Sequence, residues 1–280
     1  MILFKKAEDI NKFLSSKKEE GHSIGFVPTM GALHQGHMSL LLSAKKSTSL
    51  SVCSIFVNPT QFNDTKDFEN YPTTLENDID LLEKAGCDIL FLPTVSEMYP
   101  EGMKTTYTYD LGYLETVLEG KFRPGHFQGV CQVVHRLLKI IPADQLYLGQ
   151  KDYQQCMVIK KLITQIDATT NITICPTLRE TGGLAMSSRN IRLTKTDRIK
   201  ALKIFETLSF IKNNLNPGDV KGVPENAIQK LITEGLKVDY IEIADAHSLE
   251  LLKKWDGKTP IIALIAAFVQ DIRLIDNMLL

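Results

Sequence analysis

The sequence predicts an α/β protein: a Rossmann-like, doubly wound parallel sheet followed by a smaller C-terminal α+β domain. Three observations predict it. Short apolar runs at residues 24–27, 51–57 and 88–92 alternate with helix-compatible segments, the order of a parallel sheet covered on both faces. The first run leads through Pro28-Thr29-Met30-Gly31-Ala32-Leu33-His34-Gln35-Gly36-His37 into the apolar stretch 38–44, which reads as strand, glycine turn, helix. After Pro176 the alternation stops, so residues 1–178 are expected as the sheet domain and 179–280 as a smaller lid domain.

Taken in order, residues 5–20 read as a polar-faced helix, and 75–85 as a helix stopped by Gly86. Val130, Val133, Val134, Leu137 and Leu138 repeat at helical spacing within 129–140, which Pro142 ends. A short strand at 145–148 closes at Gly149, a helix follows over 153–167, and 172–175 is the last strand of this half. Residues 178–190 form a Gly- and Ser-containing loop before a long helix over 194–215, with Thr194 as its N-cap. Asn216-Pro217-Gly218-Asp219 is a turn cluster. Then come a helix (224–236), two strands (240–244 and 261–269) and a terminal segment.

The chain has 280 residues, 44% hydrophobic and 23% charged, with a net charge of −1. That balance fits a globular protein and offers no basic surplus for nucleic acid or anionic membrane, so neither is expected as a partner. The longest apolar run, 261–269, is about half of a membrane span and reads as a buried strand. No secretory signal pattern is visible at the start. The five cysteines are odd in number and lack a C-x-x-C pair, the usage of reduced, buried thiols in a cytoplasmic protein.

Candidate chemistry begins at the first glycine turn. Unpaired N–H groups and the helix dipole make a helix N-terminus a natural phosphate site. His34 and His37 lie three apart, so a helical turn puts both on one face, able to meet the same anion. The pair is also compatible with half of a metal site or with a structural role. Four further segments fall at strand ends or loops, where an open parallel sheet binds ligands. Asn58-Pro59-Thr60-Gln61-Phe62 presents Gln61, whose amide can donate to and accept from a hydroxy acid, although a solvated loop residue fits too. Residues 119–127 (EGKFRPGHF) form a basic Gly/Pro-held loop, equally an ordinary connector. Gly149-Gln150-Lys151-Asp152 offers a compact cation for phosphate and a carboxylate suited to magnesium or to capping a helix; Gln155 follows one turn later. Met186-Ser187-Ser188-Arg189 places hydroxyls and a guanidinium on a mobile-looking loop, suited to pyrophosphate.

These segments together resemble the pantoate–β-alanine ligase family, within the HIGH-type nucleotidyltransferases. PTMGALHQGH, SIFVNPTQF, EGKFRPGHFQGV, GQKDYQQ, GLAMSSRN and the terminal RLIDN carry the resemblance across essentially the whole chain. It implies a magnesium-dependent, two-step reaction, in which pantoate attacks the α-phosphate of ATP and β-alanine then displaces AMP from pantoyl adenylate. It implies ATP contacts from Met30, Gly31, Ala32, Leu33, His34, Gln35, Gly36 and His37, with catalytic roles for His37, His34 and Lys151. Gly149, Gln150, Lys151 and Asp152 match a second ATP segment, with Lys151 facing phosphate. Leu178, Met186, Ser187, Ser188 and Arg189 match a third. Gln61 matches a residue for pantoate and β-alanine, and Gln155 one for pantoate. A homodimer is implied as well. Thr73, Gly182 and Val269-Gln270-Asp271 stand where the family usually has other residues.

Overall fold

The computed structural model describes residues 1–62, 68–103 and 107–280. They divide into two compact units, one of residues 1–149 and 158–176, the other of 150–157 and 177–280.

The first unit is the predicted parallel sheet with helices. Its strands are β1 (Ile2–Phe4), β2 (Ile24–Thr29), β3 (Leu50–Ile55), β4 (Ile89–Phe91), β5 (Gln145–Gly149) and β6 (Asn171–Cys175). They pair in the order β1-β4-β3-β2-β5-β6, and every pairing is parallel. The helices of this unit include α1 (Ala7–Glu19), α2 (Gln35–Ser47), α3 (Leu75–Lys84), α4 (Val95–Met98), α5 (Leu118–Phe122) and α6 (His126–Ile140). A further helix, α7 (Tyr153–Gln165), begins in the second unit and ends in the first. Strand β1 has no counterpart in the sequence reading: three residues, two of them exposed, leave no period to detect. The strand order reverses between β2 and β5, which is the topological switch point where such sheets take ligands at their carboxyl ends. The glycine turn leaves β2 there, and Gly149 ends β5 beside it.

Burial explains why the apolar runs are continuous rather than alternating. Ile24, Phe26 and Val27 of β2, and Val52 and Cys53 of β3, are almost fully enclosed, because helices cover both faces of a parallel sheet. All five cysteines are unbridged and buried. Burial pushes the Cys87 thiol up to about 11 and Cys131 up to about 12, so neither is poised as a nucleophile.

The second unit is the α+β part. Its strands are β7 (Gly218–Asp219), β8 (Lys237–Asp245), β9 (Lys254–Trp255), β10 (Ile261–Val269) and β11 (Ile272–Leu279). Three of them form an antiparallel sheet of order β11-β10-β8, and a separate two-residue pairing joins β7 to β9. Helices α8 (Lys195–Asn214) and α9 (Gly222–Thr233) cover the larger sheet. Ile204, Leu208 and Ile211 of α8 and Leu231 of α9 share one core with Ile243, Ala263 and Ile265 of the strands. Thr194 caps α8 in a reciprocal capping box with Asp197, as its position in the sequence predicts. The segment before it is tied internally. Glu180 N–H donates to Leu184 O, Asn190 Nδ2 to Glu180 Oε1 and Ala185 O, and Arg198 Nη1 to Glu180 Oε2. Among the described residues no helix is long and apolar enough to cross a membrane.

Candidate active site

The turn after β2 is held in a conformation that few sequences adopt. Gly31 (φ 80°) and Ala32 (φ 48°) are both left-handed, which for alanine stores strain that surrounding contacts must hold. The contact is Asp78 of α3, only 1% exposed. Its carboxylate accepts from Ala32 N–H (2.9 Å), Leu33 N–H (2.8 Å) and Thr74 Oγ1 (3.0 Å). A Cβ on Gly31 would lie 3.0 Å from Asp78 Oδ2 and 3.1 Å from Ile55 Cγ2, so glycine is needed for space as well as for φ. Thr29 Oγ1 closes the start of the turn by accepting from Gly31 N–H and donating to Ser54 O.

Beyond the turn, the two histidines interlock. His34 is the N-cap of α2, and its Nδ1 accepts from Gly36 N–H at 3.1 Å. His37, three residues on, accepts the His34 N–H on its own Nδ1 at 3.3 Å, completing a capping box made of imidazoles. With Nδ1 an acceptor in both rings, the neutral tautomer carries its proton on Nε2. The ring centroids are 4.1 Å apart. The structure thus brings His34 and His37 together on the first turn of α2, with Gln35 exposed and Gly36 half-buried between them.

Gln61 ends a short turn (Pro59–Gln61) beyond β3, and its Nε2 donates to Met30 Sδ at 2.8 Å. Two of the predicted ligand residues therefore touch across the carboxyl ends of β2 and β3. The turn hangs on Asn58, 1% exposed. Asn58 Nδ2 donates to Gln61 Oε1 and Gly129 O, while its Oδ1 accepts from Thr60 Oγ1 and from Tyr99 O–H at 2.8 Å. His126 Nδ1 lies 2.8 Å from Gln61 O. A Cβ at position 129 would stand 2.1 Å from Thr60 O, so the first turn of α6 approaches this backbone as only glycine permits. The EGKFRPGHFQGV segment is thus more than a connector: its last part is the wall against which the Gln61 turn is set.

In the second unit, Gln150, Lys151 and Asp152 form one short helical turn before α7, and Gln155 sits half-buried on that helix. Lys151 Nζ is 3.4 Å from Asp152 Oδ1. The turn is fastened to β11. Asn277 Nδ2 donates to Gln150 O (2.8 Å) and Lys151 O (2.9 Å), and Gln150 Nε2 donates to Asn277 Oδ1 (3.1 Å). Next to it, Arg179 grips Asp276 in a bidentate pair at 2.6 and 3.0 Å and stacks over Phe205 with 4.6 Å to the ring centroid. Burial raises the Asp276 carboxyl above its ordinary range against the opposing pull of Arg179. Leu178 and Met186 meet through Met186 N–H to Leu178 O, and Ser187 caps the turn Ser188–Arg192 by accepting from Arg189 N–H. Within each unit, then, the predicted residues gather on adjoining segments.

Among the described residues no three His, Cys, Asp or Glu side chains gather as a metal cage. Asp152, with its side chain 46% exposed, fits the way magnesium is usually held beside nucleotides, by one or two carboxylates with phosphate oxygens and water. Sequence reasoning did not single out Asp78, Asn58, Asp276 or Asn277. For Asp276 and Asn277 the RLIDN motif was the available signal; Asp78 lies in Leu75-Glu76-Asn77-Asp78, which reads as an ordinary solvated helix start.

A parallel sheet with a capped, strained turn at its switch point defines the class of Rossmann-like α/β proteins that handle phosphate-bearing ligands. The comparisons narrow that class. The family profile described as pantoate-beta-alanine ligase matches residues 2–279. A pantothenate synthetase of Cytophaga hutchinsonii is 42% identical, covering 100% of this chain and 99% of that protein. One from Caldicellulosiruptor bescii is 40% identical over 99% and 98%. The crystal structure of a Thermus thermophilus pantothenate synthetase superposes with a TM-score of 0.89 at 35% identity, covering 99% of both chains. The Francisella tularensis ligase, solved with β-γ ATP and β-alanine, gives 0.85 at 39% identity, covering 100% and 97%. The chain belongs to the pantoate–β-alanine ligase family.

Proposed function

We propose that this protein joins pantoate to β-alanine using ATP, forming pantothenate through a pantoyl-adenylate intermediate. In the first step a pantoate carboxylate oxygen attacks the α-phosphorus of ATP, and the bond to pyrophosphate breaks. In the second, the β-alanine amine attacks the acyl carbon, AMP departs, and the amine loses a proton. The observation that carries this reading is the interlocked His34–His37 pair opening α2 at the end of β2. Helix N–H groups and two Nε2 donors suit charge that grows on phosphate oxygens in the transition state, and fixed donors need no reorganisation.

The remaining residues take the roles their chemistry allows. Lys151 is a point cation for the leaving phosphates, joined by Ser187, Ser188 and Arg189. Gln61 and Gln155 hydrogen-bond the hydroxy acid. Gln61 Nε2 rests on a thioether, a weak acceptor that a carboxylate or hydroxyl readily displaces. Asp152 would hold magnesium, which neutralises phosphate charge when bound. Adenylyl transfer asks mainly for such positioning and fixed charge. A homodimer, implied by the family resemblance, a cytoplasmic setting, read from the cysteine usage, and residues 179–280 as a lid domain belong to the same proposal.

The test is AMP release with ATP, pantoate and β-alanine, each omitted in turn. AMP must require all three, whereas ATP–pyrophosphate exchange must require only ATP and pantoate. Absence of that exchange until β-alanine is added would rule out the two-step order. His37→Ala and Lys151→Ala should each slow single-turnover adenylate formation by at least ~10²-fold, the scale for one positioned proton donor or electrostatic group.

A further inference from the structure

The turn that carries Lys151 is gripped by a residue 126 positions later in the chain. Asn277 is 2% exposed in β11, where it pairs with Leu264. Both of its side-chain N–H groups are used, one on Gln150 O and one on Lys151 O, and its Oδ1 accepts from Gln150 Nε2. Gln150 O belongs to the peptide plane before the Lys151 Cα, and Lys151 O to the plane after it. The relative rotation of those two planes is what φ and ψ of Lys151 measure. One planar amide therefore holds both planes and fixes the backbone from which the Lys151 side chain grows.

Asn277 is itself held. Its backbone N–H donates to Asp276 Oδ1 at 2.8 Å, and its carbonyl accepts from Arg179 Nη2 at 3.3 Å. Arg179 also clamps both oxygens of Asp276 and donates to Gly183 O. The side chain at 277 thus has no slack to pass on. A leucine of similar size would leave two carbonyl oxygens without that donor.

We propose that Asn277 is a positioning residue for the first half-reaction, acting through the Lys151 backbone. The inference rests on the role given to Lys151 above. Lys151 serves the phosphates that leave during adenylation, so misplacing its root should slow that step. Attack of β-alanine on preformed pantoyl adenylate, from which pyrophosphate has gone, should be little changed.

Asn277→Ala, Asn277→Ser and Lys151→Ala would be compared with the wild-type protein in three measurements. These are single-turnover adenylate formation from ATP and pantoate, pantothenate formation from preformed pantoyl adenylate and β-alanine, and the thermal unfolding midpoint. Asn277→Ala should slow adenylation by about 10- to 100-fold, the range for losing a supporting contact or misplacing a group by an ångström, and leave the second step within about 2-fold. Asn277→Ser, which keeps one donor, should fall between. If Lys151→Ala is slow but both Asn277 variants adenylate at the wild-type rate, the inference is wrong and the lysine's role stands. If Lys151→Ala itself is unimpaired, the role of Lys151 falls and the inference with it. If the Asn277 variants lose both half-reactions in proportion to lost folded protein, Asn277 is structural only, which equally overturns the proposal.

Discussion

The turn at residues 30–37 and the turn at 150–152 are both assigned to phosphates, yet they are built in opposite ways. The first is shaped largely by its own residues: two left-handed positions, a threonine that closes the start, and histidines that together cap helix α2. Its outside anchor is a carboxylate, Asp78, which accepts backbone N–H groups and offsets their desolvation. The second turn has little chemistry of its own and is held by an amide that donates to carbonyls, Asn277, backed by an arginine–carboxylate pair. One loop is preorganised by its sequence and the other by a distant strand. Both announce themselves in the chain as motifs, but the residue that holds the second lies 126 positions further on.

Breaking the distant anchor should have the largest effect. Asp276→Ala leaves Arg179 without its buried partner and should lower unfolding stability by about 3–5 kcal/mol, the usual cost of removing one side of a buried pair. Chemical denaturation checks it, and a change below ~1 kcal/mol would mean the second turn does not depend on that clamp. Next comes the anchor of the first turn. Asp78→Ala strands two backbone donors beneath a strained turn and should cost about 2–3 kcal/mol, together with slower adenylation. Asp78→Asn keeps one acceptor and should lose less; equal losses would say that charge, and not acceptor count, holds Ala32 and Leu33. The smallest expected effect is at the wall of the Gln61 turn. Gly129→Ala drives a methyl into Thr60 O and should cost about 1–3 kcal/mol. It should also raise the KM for pantoate more than that for ATP, measured by varying each substrate in steady state; a selective rise for ATP would detach Gln61 from pantoate.

Much of the fold is legible in the chain. The runs at 24–27, 51–57 and 88–92 lie where β2, β3 and β4 form, and residues 261–269 match β10 at both ends. These segments are buried on both faces, so composition alone betrays them. Helix α8 starts where Thr194 predicts, because a cap is a local contact between residues three apart. Strand β1 escapes the reading because its pairing with β4, and nothing in Ile2–Phe4 itself, makes it a strand.

The site divides along the same line. The sequence alone determined the chemical parts: His34 and His37 at a helix start, Gln61 at an Asn-Pro turn, Lys151 after Gly149, and the hydroxyls and guanidinium of 187–189. Those parts are readable because each depends on neighbours within a few residues, through turn geometry and helix ends. Only the tertiary structure decided that Asp78, 45 residues past Leu33, holds the first turn, that Gly129 makes room for Thr60, and that Asn277 sets the lysine. Buried hydrogen bonds and close backbone approaches of this kind join residues far apart in the chain. A carboxylate that grips a buried loop and one that faces water have the same local sequence, and burial alone tells them apart.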